Sequence, residues 1–200
     1  MITPFARRAL PAAVAIAAAA GGAFVAWHYH RLGLTLSHYD ARGHLVVARR
    51  IADSITPGWQ QIGAVWLPLP HLLNALPVQI DLFYRTGASA VAISIVSFAI
   101  ATAALASIVQ SITDSNIAAV AGAAVFALNP NVLYLQSTPM TEPLLLATTT
   151  VAVAMLMAWC QRVPAGLRPA RRARRHPGRD AVVAQAFRPA MLAGRSRSRV

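Results

Sequence analysis

The amino-acid sequence predicts an all-α, polytopic integral membrane protein with about four transmembrane helices, and three observations support this prediction. Of the 200 residues, 56% are hydrophobic and only 12% are charged, whereas about a quarter of the residues of a soluble domain are charged. The mean hydropathy is +0.52. The apolar residues form uncharged runs of about bilayer length. The single cysteine, Cys160, excludes a disulfide-stapled fold and a cysteine-rich zinc site.

The first transmembrane helix is predicted over residues 9–27, after a short cytoplasmic segment, residues 1–8, that carries Arg7 and Arg8. This uncharged run of about 19 residues gives roughly 28 Å of helix, close to the thickness of the hydrocarbon layer. A cleaved signal peptide is the alternative, because the small residues around 20–23 would suit a signal peptidase. The further apolar runs downstream favour a membrane span.

Residues 28–87 form a predicted first extracytoplasmic loop, because their charged and histidine side chains would each cost a few kcal/mol in lipid. Over residues 42–55, apolar residues recur at helical spacing with arginines on another face, which predicts an amphipathic helix along the membrane surface, ended by a Pro-Gly pair. The segment 66–73 is apolar but interrupted by prolines, and it predicts an interfacial turn and short helix, with Trp59 and Trp66 as interface anchors.

Three further transmembrane helices are predicted after this loop. Residues 88–109 give about 22 uncharged residues, roughly 33 Å of helix. The next apolar run is too short to cross alone, so the third helix must cover residues 117–135 with a kink at Pro130; a re-entrant segment is the alternative. The fourth helix covers residues 143–161. The connections are a cytoplasmic loop over residues 110–116, with Ser115 and Asn116 as N-cap candidates, and a second extracytoplasmic loop over residues 136–142.

The C-terminal segment, residues 162–200, is predicted to be a disordered basic tail, because it holds eleven of the eighteen arginines and no apolar periodicity. Four crossings and the basic residues near both ends place both termini in the cytoplasm and the two polar loops outside. The formal net charge of +12 therefore describes a tail that would bind any polyanion, including anionic lipid. No specific nucleic acid is predicted as a partner.

The candidate functional residues lie in the two extracytoplasmic loops. Asp40, Arg42 and His44 form a cluster after the first span, and Asp40 and His44 are four residues apart, on one face of a helix. Such a carboxylate can accept a proton from an acceptor hydroxyl or bind a metal, and the arginine can neutralise a phosphate. The alternative is that Asp40 pairs with Arg42 or His44 at a wet interface.

Glu142, the only glutamate, lies at the end of the second extracytoplasmic loop, which the predicted topology places on the same side of the membrane as Asp40. Two carboxylates that converge from separate loops predict a shared divalent cation, and a hard oxygen site suits Mg²⁺ or Mn²⁺. The alternative is that Glu142 is a solvated loop residue or a favourable charge at a helix N-terminus.

Three segments follow one another in an informative order. They are Asp40 at the opening of the long first loop, the proline-rich segment 66–73, and the run FALNPNVLYLQSTPMTE over residues 126–142. This order resembles the amino-terminal part of the GT-C membrane glycosyltransferases. It is similar to the bacterial branch related to protein O-mannosyltransferases and aminoarabinose transferases, glycosyltransferase family 39-like, and the resemblance covers roughly residues 9–159.

Enzymes of this family transfer a sugar from a polyprenyl-phosphate carrier to an acceptor outside the membrane, without a nucleotide-sugar site. The resemblance implies that Asp40 is the catalytic general base on the acceptor hydroxyl. It also implies that Glu142 helps to bind a metal or to orient the acceptor. Many relatives carry an Asp-Glu pair in the first loop, whereas Ala41 follows Asp40 here, and this departure leaves the metal requirement open.

Basic residues of the first loop would steady the lipid phosphate in the same site. The candidates are Arg42, Arg49 and Arg50, with His44 beside them as a further substrate contact. The implied partners are membrane lipid and the polyprenyl-phosphate sugar donor. The implied location is the bacterial plasma membrane, which the chain would cross several times.

The composition changes at about residue 164 to Arg, Ala, Pro and Gly, which is typical of GC-rich DNA translated out of frame. Members of the family continue for many more spans, so we expect a truncated or frameshifted glycosyltransferase. A non-catalytic four-span membrane protein, either a degenerate remnant or an assembly partner, is the alternative. A transporter is disfavoured, because the predicted spans hold almost no ionisable residues.

Overall fold

The computed structural model describes residues 4–63 and 65–162, with side chains from residue 9 to residue 161, and these residues form helices and no strand. The α-helices are α1 Pro4–Arg31, α2 Tyr39–Arg50, α3 Pro68–Ala75, α4 Asp81–Thr86, α5 Ala88–Thr113, α6 Asn116–Ala127, α7 Pro130–Gln136 and α8 Glu142–Arg162. Two short 3-10 turns cover Trp59–Ile62 and Pro77–Gln79. The all-α prediction is confirmed for this part of the chain. The tail predicted to be disordered lies, from residue 163 onward, outside the described residues.

Three helices are long and apolar enough to cross a membrane, namely Ala9–Arg31 of α1, all of α5, and Glu142–Gln161 of α8. A fourth crossing requires α6 and α7 to act as one span, although the two are bent by 66°. These helices are compatible with a multi-pass membrane protein. Helices α1 and α5 continue past the predicted ends at residues 27 and 109, to Arg31 and Thr113.

The predicted kinked helix over residues 117–135 is two helices, α6 and α7. Ser115 caps the start of α6, as one of the two predicted caps. Asn129 caps α7, because its side-chain Oδ1 accepts the backbone N–H of Asn131 at 2.9 Å. Pro130 takes the first position of α7, where a missing N–H leaves no intrahelical bond unmade. Pro130 therefore starts a new helix rather than kinking a continuous one.

Helix α5 lies at the centre of the helical bundle and packs against α1, α6 and α8. In the most apolar stretch of α5, 50% of the residues are buried inside the protein, against 17% in α1 and 11% in α8. Seven of its ten buried residues are Ala, Ser or Thr, and such small residues let neighbouring helix backbones approach closely. The ten buried residues are Val91, Ser94, Ser97, Phe98, Ala99, Ala101, Thr102, Ala104, Ala106 and Gln110.

A close approach between α1 and α7 lies beside this central helix. Gln136, which is fully buried, donates from Nε2 to the backbone oxygen of Gly22 at 3.1 Å. A Cβ on Gly22 would lie 3.0 Å from Gln136 Oε1 and 3.1 Å from the Phe98 ring. Only glycine fits this position without movement of its neighbours, so the glycine sets the distance between the two helices.

Helices α2, α3 and α4 and the two 3-10 turns form a separate group between α1 and α5, which we call the loop module. Its core contains Leu45, Ala48 and Val78, each no more than 2% exposed. Helix α2 ends at Arg50, so the amphipathic helix predicted over residues 42–55 is shorter than expected. After it, the backbone N–H of Gly58 bonds to the oxygen of Ile51 at 2.8 Å, which closes a loop. The apolar face of α2 packs inside the module.

Candidate functional site

The start of α5 holds the two predicted extracytoplasmic loops together. Gly87 precedes α5 with φ +71°, and a Cβ there would lie 2.7 Å from Pro139 Cγ and 3.1 Å from Leu36 Cδ2. Leu36 comes four residues before Asp40, and Pro139 comes three residues before Glu142. The fold therefore brings both candidate carboxylates to the same end of the helical bundle.

Asp40 is the second residue of α2 and is only half-buried, with 47% of its side chain exposed. The capping side chain of His38 accepts the backbone N–H of Asp40 on Nδ1 at 3.1 Å, and Asp40 Oδ2 lies 3.9 Å from the same nitrogen. Because that lone pair is already used, the longer contact is not a hydrogen bond. Among the described residues, no Arg or His44 partner holds the Asp40 carboxylate, so its oxygens face solvent.

Glu142 is the first residue of α8, where the helix dipole favours a carboxylate. Its Oε2 is buried and has no hydrogen-bond partner among the described residues. Buried polar atoms are nearly always bonded, so an orphaned carboxylate oxygen calls for a donor. Glu142 is therefore more than a solvated loop residue: one of its oxygens is enclosed at the end of the bundle where Asp40 also lies.

The predicted Mg²⁺ or Mn²⁺ site would be shared by two carboxylates, Asp40 and Glu142. Within residues 4–63 and 65–162, no group of three or more His, Cys, Asp or Glu side chains is arranged to hold a metal ion. A cation shared by these two carboxylates alone stays a prediction.

His44 points into the loop module rather than towards solvent. It is 8% exposed, and His71 of α3 is 1% exposed. His44 Nδ1 lies 3.0 Å from His71 Nε2, and His71 Nδ1 lies 2.9 Å from the Leu67 oxygen. A carbonyl only accepts, so His71 Nδ1 carries the proton and donates it to Leu67. His71 Nε2 is then the acceptor, and His44 must donate to it from Nδ1.

This buried pair is neutral. Burial lowers the pKa of His44 from 6.5 to about 3, with smaller contributions from the nearby His71 and His38. Burial also lowers the pKa of His71. The Trp66 ring meets His44 edge-on, with the ring centres 3.9 Å apart. His44, predicted to be a substrate contact, therefore uses its donor nitrogen inside the fold.

Arg49 is engaged in the structure of the loop module. Its Nε donates to Asp53 Oδ2 at 3.0 Å, and Nη1 donates to Asp81 Oδ1 at 2.7 Å. The guanidinium also lies over the Tyr84 ring, 4.5 Å from its centre. The hydrogen bonds to Asp81 and Asp53 raise the pKa of Arg49, and the bond from Arg49 lowers the pKa of Asp81. The arginine thereby joins the end of α2 to the start of α4.

The other two candidate phosphate ligands are exposed. Arg42 donates from Nε to the Leu36 backbone oxygen at 2.8 Å and keeps its remaining donors towards solvent. Arg50 is exposed, and no Asp or Glu among the described residues lies within ion-pair distance of it. Of the three predicted arginines, Arg42 and Arg50 are thus the ones available to an anion.

Sequence reasoning missed the buried roles of His71 and Asn74. It placed His71 in the interfacial segment 66–73, and it assigned Asn74 no role. Asn74 is 4% exposed, and its Oδ1 accepts the Ser89 hydroxyl at 2.7 Å. The available signal is their spacing: His71 and Asn74 are three apart and so share one face of a helix. The spacing does not show that this face is the inner one, because that depends on which other helices pack against α3.

In the part of the chain that the structure describes, the protein is all-helical and has three or four helices suited to membrane crossing. Two acidic candidate residues lie at one end of its helical bundle. No protein-family model, no curated protein and no solved structure matches this chain.

Proposed function

We propose that this chain is a membrane glycosyltransferase, or the amino-terminal part of one, that transfers a sugar from a polyprenyl-phosphate-linked donor to an acceptor at the extracytoplasmic face. The observation that carries the proposal is the meeting of two acidic loops at one end of the bundle. Asp40 offers solvent-facing carboxylate oxygens there, and Glu142 keeps an enclosed oxygen without a donor. Both are the positions that the resemblance to the family assigns to the site.

In the proposed reaction, Asp40 accepts the proton of the acceptor hydroxyl. The hydroxyl oxygen attacks the anomeric carbon of the sugar, the bond from that carbon to the phosphate oxygen breaks, and polyprenyl phosphate leaves with the bonding electrons. Glu142, at the same end of the bundle, helps to orient the acceptor. Arg42 and Arg50 neutralise the departing phosphate, because a guanidinium group can donate hydrogen bonds to two phosphate oxygens at once.

The proposal includes a location. The chain crosses a bacterial plasma membrane several times, with both termini in the cytoplasm and the loop module outside, and membrane lipid surrounds its apolar helices. Arg7 and Arg8 lie just ahead of the apolar part of α1, and most of the other arginines follow α8, which supports this orientation. Polyprenyl-phosphate sugars are membrane-bound, so donor and enzyme would meet in the same bilayer.

The test uses the full chain in proteoliposomes, with polyprenyl-phosphate mannose as the probe and a hydroxyl-bearing peptide as the acceptor. We expect Asp40→Asn to reduce the release of polyprenyl phosphate by about 100-fold or more, the usual contribution of a general base. Asp53→Asn is the matched control, because Asp53 is an exposed carboxylate of the same module outside the proposed site. Equal rates in the Asp40→Asn protein and the unchanged protein would exclude Asp40 as the base.

A non-catalytic membrane protein, a remnant or an assembly partner, is the second candidate. The observation that favours it is that two predicted substrate contacts, His44 and Arg49, serve the internal structure of the loop module. In that case folded chain releases no more polyprenyl phosphate than empty vesicles do, and Asp40→Asn changes nothing.

A further inference from the structure

Helix α3 has its polar and apolar faces reversed relative to a helix on a soluble domain. Its inner face carries His71 and Asn74, which are 1% and 4% exposed. A helix at the surface of a water-soluble domain buries its leucines and presents its polar side chains to solvent. In α3 the polar side chains are the buried ones.

The outer face of α3, continued by its C-cap residue, is a leucine stripe, which we define as Leu69, Leu72, Leu73 and Leu76. These residues follow the spacing i, i+3, i+4 and i+7, so they share one face. They are 47%, 49%, 47% and 82% exposed. Large clusters of exposed apolar side chains are rare on soluble domains and mark a surface that is covered in the functional state.

The inner face cannot be exchanged for the outer one, because its polar groups are already bonded inside the fold. His71 bonds to His44 and to the Leu67 oxygen, and Asn74 accepts the Ser89 hydroxyl. Turning α3 over would break these bonds and leave buried polar groups unpaired, at about 1–3 kcal/mol each. The leucine stripe therefore lies on the outer surface of the folded protein.

This surface continues into the exposed apolar surface of α5 and α8. A groove of about 360 Å³ connects them, and its lining combines Leu73 of α3 with Leu144 of α8 and five residues of α5. The α5 residues are Ala92, Ile93, Val96, Ser97 and Ile100. Whatever covers the exposed side of α5 thus also reaches α3.

The depth of this groove fits the edge of the hydrocarbon layer. Helix α5 has 26 residues, about 39 Å of helix, so about 4.5 Å would extend past each side of a hydrocarbon layer of about 30 Å. Ala92 is four residues from the start of α5, about 6 Å along its axis. Leu73 shares the groove with Ala92, which puts α3 just inside the apolar layer.

We propose that the leucine stripe of α3 lies in the outward leaflet of the membrane, in contact with lipid acyl chains, and that one such chain fills the groove between α3, α5 and α8. The loop module is then seated in the bilayer through α3. The inference requires α5 and α8 to cross the membrane, but it does not depend on transferase activity.

Single-cysteine spin labelling tests this contact in proteoliposomes of a phosphatidylethanolamine and phosphatidylglycerol mixture. The exposed Cys160 is first replaced by serine, and labels are then attached to Leu72→Cys and Leu76→Cys. The measurement is the collision rate of each label with oxygen, which concentrates in acyl chains, and with a water-soluble nickel chelate. Met155→Cys on exposed α8 is the lipid control, and Arg50→Cys on α2 is the water control.

We expect the oxygen-to-nickel ratio at both stripe positions to be close to that of Met155→Cys and several-fold above that of Arg50→Cys. A ratio like that of Arg50→Cys would overturn the inference, because the stripe would face water. Low collision rates with both reagents would also overturn it, because protein would cover the stripe. The Met155→Cys label reports membrane insertion by itself, so failed insertion is distinguishable from a wrong placement of α3. Leu69→Cys replaces either stripe variant that fails to fold.

Discussion

The helical bundle and the loop module are stabilised by different kinds of contact. In the bundle, small residues let α5 pack closely against its neighbours, and Gln136 bonds to the backbone at Gly22. In the loop module, a histidine pair and an arginine with two carboxylates join the helices. Where helices lie in lipid, they gain little from burying apolar surface and depend on close packing, whereas a module that reaches water can use ionisable groups. The bundle should therefore respond to side-chain volume, and the module to pH and salt.

The largest expected effect comes from added volume between α1 and α7. Gly22→Leu should lower the free energy of unfolding by about 1–3 kcal/mol, because even its Cβ would press on Gln136 and Phe98. Gly21→Leu is the matched control, since no atom lies within 4 Å of a Cβ there and Gly21 lines a cavity of about 310 Å³. The measurement is thermal unfolding of the detergent-solubilised protein, followed by size-exclusion chromatography.

We expect a lower Tm for Gly22→Leu and an unchanged or slightly higher Tm for Gly21→Leu, because leucine favours helix more than glycine does. The same loss of stability in both variants would show that the close approach of α1 and α7 does not control packing. The contrast with the loop module would then disappear.

The second-largest expected effect is that of acid, which should destabilise the loop module more than the helical bundle. The pKa of His44 is lower in the folded protein, about 3, than its ordinary value of 6.5, so the unfolded chain binds more protons below pH 6.5. The stability that neutral His44 supplies is complete above pH 6.5 and declines as the pH falls towards 3. At about pH 5.5 the loss should be on the order of 1 kcal/mol.

Hydrogen exchange, corrected for its intrinsic pH dependence, measures this loss. We expect the amides of α2 and α3 to lose protection between pH 7 and 5.5, while the amides of α5 keep theirs. His44→Gln should remove most of that pH dependence, and His28→Gln, a change at an exposed histidine, should not. Equal loss of protection in α5 would mean that the module and the bundle unfold as one unit.

The smallest expected effect is that of Arg49. Arg49→Gln removes the bonds to Asp53 and Asp81 and the contact with Tyr84, and it should lower the Tm by a few degrees at low ionic strength and by less in high salt. Arg50→Gln is the control, because Arg50 is exposed and lies next to Arg49 on α2. A Tm change that is independent of salt would mean that Arg49 acts through packing rather than charge.

Much of the helical layout could be predicted, because a helix boundary depends on neighbouring residues. The run from Ala88 has no charge and predicts α5, and Ser115 is a predicted cap next to the start of α6. The predicted kink at Pro130 is instead the start of a new helix, α7. The prediction was less accurate for α2. It ends at Arg50 because the chain closes a loop at Gly58, and nothing in the apolar spacing of residues 51–55 indicates that closure.

The candidate site was harder to predict, because its members are far apart in the sequence. Spacing showed that Asp40 and His44 share a helical face, but Asp40 is half-exposed and His44 is buried beside His71, 27 positions away. Arg49 and Arg50 are adjacent in the sequence, yet only Arg49 meets Asp81, 32 positions away. No local pattern distinguishes the two arginines.

The sequence by itself determined an all-helical chain with several apolar helices suited to a membrane, since composition and periodicity act over one helix length. The tertiary structure alone decided which face of each helix is the inner one. It turned the leucines of α3 outward and its histidine and asparagine inward, and it placed Gly22 against Gln136. The physical reason is that spacing defines which residues share a face, whereas the partner of that face depends on where distant helices and the surrounding solvent or lipid lie.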